Sequence, residues 1–111
     1  MNVPNVTVGD VPVDAVLLDV REDDEWAAGH IDGARHVPMF RVPSVVSRDP
    51  GELADGRPIV VVCAVGGRSA QVTAWLVQNG FDARNLVGGM HAWQSSGRPM
   101  VSETGAPPTT L

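Results

Sequence analysis

The sequence contains one cysteine and no lysine. All eight basic side chains are arginines, set against thirteen acidic residues, for a formal net charge of −5. A single cysteine excludes an internal disulfide and leaves a free thiol to explain, which fits a reducing compartment and an expected cytoplasmic location. An acidic chain without a basic cluster argues against nucleic acid or an anionic membrane as partner. No apolar run approaches the ~20 residues needed to span a bilayer. Met1 to Asn5 has neither a basic n-region nor an apolar h-region, so it does not read as a signal peptide. The three histidines and the cysteine lack metal-ligand spacing, so neither a metal nor another cofactor is expected. There is no internal repeat.

What is present describes one globular domain. The 111 residues are 43% apolar, an ordinary share for a folded chain. The domain is expected over residues 1–101, with residues 102–111, which include Pro107-Pro108, as a frayed tail. Two short β-like pieces, Asn5–Val8 and Val11–Val13, precede the apolar run Ala15–Val20, whose continuity fits a strand covered on both faces. Arg21–Gly29 reads as a short helix with an acidic first turn and Gly29 as its stop. Ile31–Pro38 is a turn and a brief strand. Met39–Ser47 is a weak helix broken near Pro43, and residues 48–57 are polar and turn-rich. Pro58–Val62 is the strongest strand. A helix over Ser69–Asn79 places Val72, Trp75 and Leu76 on one face, with Gly80 in the left-handed position beyond its end. Ala83–Val87 is the last strand, and Met90–Ser95 a final short helix. Strands alternating with helices predict an α/β sandwich with a mostly parallel sheet.

The stretch Cys63-Ala64-Val65-Gly66-Gly67-Arg68-Ser69 joins the strongest strand to the clearest helix. A thiol reacts as its thiolate. Gly66 and Gly67 permit a tight curl that turns backbone N–H groups inward. The helix adds its positive end, and Arg68 adds a planar cation. A lone buried cysteine is often only a small hydrophobe, but its place at a strand end before Gly-Gly-Arg favours a reactive role.

The chain resembles single-domain rhodaneses. The resemblance runs from about Val16 to Val101 through five ordered pieces: Leu18–Glu22, Glu25–Ala34 with Val37-Pro38, Cys63–Ser69, Gly80-Phe81, and Gly88–Met90 with Ala92-Trp93 and Gly97–Val101. It implies a three-layer α/β/α sandwich whose five-stranded sheet has the order 1-5-4-2-3. It also implies a thiosulfate sulfurtransferase-like enzyme. Cys63 would be the catalytic nucleophile, taking a sulfane sulfur as a persulfide from thiosulfate or another small donor. A thiol or cyanide would be the acceptor, and a protein sulfur donor or acceptor also fits. Ala64, Val65, Gly66, Gly67, Arg68 and Ser69 would bind the substrate, the N–H groups of Ala64 to Arg68 stabilising the persulfide.

Related phosphatases of this fold use a loop one residue longer, Cys-x5-Arg. Here Arg68 stands five positions after Cys63, a smaller ring suited to sulfur. The apolar Ala64 and Val65 stand where some thiosulfate-using relatives carry basic side chains. They leave room for other donors and for a non-turnover persulfide carrier or sulfide-responsive interaction module.

Asp19, Arg21 and His30 are supporting residues. Asp19 is expected to reach Arg21 or the following turn, Arg21 to pair with Asp19 or a nearby carboxylate, and His30 to fix the turn before Ile31. Arg35, His36 and His91 either line the cleft or face solvent. Trp26, Trp75 and Trp93 are expected as packing anchors.

Overall fold

The computed structural model describes residues 3–111. Met1 and Asn2, which open the stretch read as lacking a leader, lie outside the described residues. The core is built around the four-residue strand β4 (Ile59–Val62), every residue of which is buried. It sits between β2 (Val16–Asp19) and β5 (Ala83–Leu86), with β1 (Asn5–Val6) and β3 (Arg35–His36) at the edges. All four pairings are parallel and the order is β1-β5-β4-β2-β3, as the family resemblance implied.

A parallel strand alternates its side chains between two covered faces. Val16, Leu18, Ile59, Val61 and Cys63 therefore join Val42, Val45, Leu53, Val72 and Leu76 on one side. These last come from α2 (Val42–Arg48), α3 (Gly51–Ala54) and α4 (Gly67–Gln78). Val60, Val62 and Leu86 face Ile31 and the Met90 and Trp93 side chains of α5 (Gly89–Ser95) on the other side. Truncating a fully buried side chain such as Leu76 to Ala costs ~2–5 kcal/mol. The end of α4 is closed as its glycine predicts. Gly80 is left-handed at φ 89°, its N–H donates to Val77 O at 3.1 Å, and Phe81 N–H donates to Leu76 O at 3.0 Å.

Four local expectations are corrected. Val11–Val13 is not a strand but leads into a turn at Val13-Asp14, where Ala15 N–H donates to Pro12 O at 3.1 Å and Val13 is fully exposed. Pro43 does not break a helix. It lies in the first turn of α2, where its missing N–H costs nothing, behind a short 3-10 turn at Met39–Arg41. The turn-rich stretch contains α3, ended by Asp55 in the left-handed region at φ 52°. Residues 102–111 are not frayed. They lie along α1 (Asp23–Ala28), with Glu103 N–H donating to Ala27 O at 2.9 Å and Thr109 N–H to Ala28 O at 3.0 Å. Gly29, extended rather than left-handed, is needed for this approach, because a Cβ there would stand 2.7 Å from Thr109 N.

Candidate active site

β4 ends at Val62 and delivers Cys63 to the rim of the sheet. The chain then curls through Ala64 and Val65 to Gly66, which caps α4 at φ 111°, a conformation that disfavours any Cβ. The start of α5 holds the curl from outside. Met90 N–H donates to Cys63 O at 2.8 Å and His91 N–H to Ala64 O at 3.1 Å. Gly89 makes this possible, since a Cβ on it would lie 2.8 Å from the carbonyl carbon and oxygen of Ala64. With two carbonyls turned outward, the following N–H groups face inward. Gly66 N–H donates to Cys63 Sγ at 3.1 Å, and Ser69 Oγ lies 3.3 Å from the same sulfur.

Two opposing influences act on the thiol. Burial is the largest single one and pushes its pKa up. The Ser69 hydroxyl and the N–H groups of Ser69, Gly66 and Val65 together outweigh it, and the thiol sits below its ordinary value. The loop thus favours the thiolate through hydrogen bonds.

Arg68 is placed differently from a free cation over the loop. Its Nη1 and Nη2 each donate at 2.8 Å to the two oxygens of Glu25, on α1. That fork holds the Glu25 carboxyl down at about pKa 2 and raises the pKa of Arg68 further. Glu25 also accepts the Glu22 N–H at 3.1 Å, completing a capping box at the start of α1.

Asp19 and Arg21 form a buried pair. Arg21 Nη2 donates to Asp19 Oδ2 at 2.8 Å, and the same guanidinium donates to Glu25 O at 3.3 Å and Gly29 O at 2.7 Å. The pair thereby fixes the helix that presents Glu25. His30 donates from Nδ1 to Trp26 O at 2.8 Å, and its Nε2 lies 3.4 Å from Glu103 Oε1. His36 donates to Arg21 O at 2.8 Å, and Trp26 stacks on both imidazoles, 3.5 Å from His30 and 4.7 Å from His36. Arg35 turns to Glu52 O and Asp55, while His91 is exposed. Trp93 is buried and donates to Pro99 O at 3.0 Å. Trp75 helps line an apolar cavity of about 340 Å³ with Met39, Phe40, Val42, Gln71 and Val72. Among the described residues no group of acidic, histidine or cysteine side chains is placed to hold a metal ion. Nor is any helix there long and apolar enough to cross a membrane.

Two site residues escaped the sequence reading. Glu25 lies 43 positions from Arg68. Asn85, on β5, has its Oδ1 2.5 Å from Ser69 Oγ. Its only sequence signal is parity, since it shares the inward face of β5 with Ala83.

The rhodanese-like domain model matches residues 8–96. The chain belongs to the rhodanese family. This rhodanese-like domain is 38% identical over 93 residues to a sulfurtransferase of Allochromatium vinosum, covering 83% of each chain. It is 36% identical over 84 residues to the thiosulfate sulfurtransferase GlpE of Pseudomonas fluorescens, covering 74% of this chain and 72% of that one. Among solved structures, a rhodanese-like domain protein from Staphylococcus aureus superposes with a TM-score of 0.68 at 31% identity, covering 96% and 99%. A rhodanese-related protein from Thermoplasma volcanium superposes at 0.75 with 28% identity, covering 88% and 97%.

Proposed function

We propose that this rhodanese-like domain is a sulfurtransferase that carries a sulfane sulfur on Cys63. The observation that carries the reading is the convergence of Gly66 N–H and Ser69 Oγ on the sulfur of the one cysteine. The names of its relatives support the same class.

In the first step the Cys63 thiolate attacks the sulfane sulfur of the donor. A new S–S bond forms, the donor's own bond to that sulfur breaks, and the leaving group departs with the electron pair. With thiosulfate the leaving group is sulfite. In the second step a thiolate or cyanide attacks the outer sulfur of the Cys63 persulfide, which releases the thiolate and gives a new persulfide or thiocyanate. The donors that favour the thiolate also stabilise the persulfide anion. Neither step requires a base, so the use of His30 Nδ1 on Trp26 O is no obstacle. A free thiol of this kind works in a reducing compartment, and we place the activity in the cytoplasm.

Thiocyanate release from thiosulfate and cyanide tests this reading. The expected result is ping-pong kinetics that vanish in Cys63→Ser. Turnover surviving that substitution would reject it.

A second reading, a persulfide carrier that hands sulfur to a protein, draws on one observation. Val65, in the middle of the loop, is 66% exposed. An exposed apolar side chain at that position suits a protein partner. Efficient turnover with small donors and acceptors alone would count against it.

A further inference from the structure

Ser69 has one hydroxyl proton and two acceptors within reach. Cys63 Sγ lies 3.3 Å away and Asn85 Oδ1 only 2.5 Å. The hydroxyl serves one of them at a time. Asn85 in turn donates from Nδ2 to Asn5 Oδ1 at 3.2 Å. This chain of polar groups runs from the exposed edge strand β1 to the sulfur. Asn5 and Asn85 are cross-strand partners, and Asn85 is paired in register with Val61 on β4. Val61 and Cys63 share a face, so Asn85 is carried to the sulfur side of the sheet.

Amide orientation fixes the direction of the chain. With Asn85 Oδ1 toward Ser69, the arrangement in the structure, the hydroxyl is drawn to the amide and the sulfur keeps its backbone donor, Gly66 N–H. The thiolate, which needs the hydroxyl proton, favours both amides turned over, with Asn5 Nδ2 donating to Asn85 Oδ1 and Asn85 Nδ2 donating to Ser69 Oγ. The hydroxyl proton is then free for Sγ. The heavy atoms differ between the two cases only in that the 2.5 Å Ser69 Oγ–Asn85 contact lengthens to take an N–H donor.

We propose that Asn85, backed by Asn5, is a positioning residue: the orientation of its amide decides whether Ser69 donates to Cys63 or away from it. The inference rests on the reading of Cys63 as the nucleophile. The charged groups near the thiol come from other elements. Arg68 on α4 faces it, with Glu25 and Glu22 of α1 behind Arg68. The α5 residue nearest the loop, His91, contributes its backbone N–H. Substitutions at Asn5 or Asn85 leave all of these in place.

The test is an ultraviolet titration of the thiolate. One cysteine and no tyrosine make the signal specific to Cys63. Asn85→Asp and Asn5→Asp both present acceptors only and hold the Ser69 hydroxyl away from the sulfur. Each is expected to raise the titration midpoint by ~1 pH unit, and to lower the rate of sulfur loading near neutral pH about tenfold. Made in a Ser69→Ala background, the same substitutions are expected to shift the midpoint by less than about a third of that. This control separates the relay from the direct effect of the added charge. Asn5 is exposed, so Asn5→Asp answers the question even if Asn85→Asp fails to fold. An unchanged midpoint, or a shift undiminished by Ser69→Ala, would overturn the relay. The titration needs no sulfur donor, so an inactive protein with an intact relay would reject the functional reading alone.

Discussion

Glu25 and Arg68 bind each other through two parallel hydrogen bonds of 2.8 Å, and so tie the start of α4 to α1. The arginine of the loop acts as a brace for the backbone that surrounds Cys63.

The brace has a pH signature. The folded-state pKa of Glu25, about 2, lies below its ordinary 4.5. A depressed carboxyl contributes stability that is fully present above the ordinary value and is lost as pH falls through the folded one. Glu25→Gln keeps an oxygen for the capping box and removes the charge. Since the Arg68 side chain is 35% exposed, solvent screening reduces the effect to ~1 kcal/mol. Urea denaturation should show that deficit at pH 7, shrinking between pH 4.5 and 2.

Ser69→Ala removes one donor from the sulfur. Thiolate titration should show the Cys63 midpoint moving up, with burial, which favours the neutral thiol, then less opposed. Circular dichroism should be unchanged.

Gly89→Ala places a methyl group against the Ala64 carbonyl. The loop must shift or α5 must move away. A loss of ~2–4 kcal/mol on chemical denaturation is expected, with sulfur loading reduced well beyond that of the folded fraction.

Arg21→Met leaves Asp19 buried without its partner, and the carbonyls of Glu25 and Gly29 without a donor. Breaking one side of such a pair costs ~3–5 kcal/mol. The expected outcome is a large drop in melting temperature. The double change Asp19→Asn with Arg21→Met should recover part of it.

The sheet was legible because β4 is an unbroken β-branched run and α4 carries both its apolar stripe and its terminal glycine. The sulfur site was legible because Cys63, Gly66 and Ser69 are neighbours in the chain. The remaining residues depend on topology. Glu25 meets Arg68 only because α1 packs beside the loop, and Asn85 meets Ser69 only because β5 lies between β1 and β4. The tail was misread for the same reason. Pro107 and Pro108 indicate no regular structure, but Thr109 still finds the Ala28 carbonyl across the bare backbone of Gly29. Pro43 was misread through position alone, since the same residue that breaks a helix interior is harmless in its first turn.

The central claim is that Cys63 carries the transferred sulfur. Intact mass measured after incubation with thiosulfate tests it most directly. The account predicts a gain of ~32 Da that cyanide removes and that Cys63→Ser abolishes. No gain with thiosulfate or with any low-molecular-weight persulfide, or a gain that survives Cys63→Ser, would contradict it.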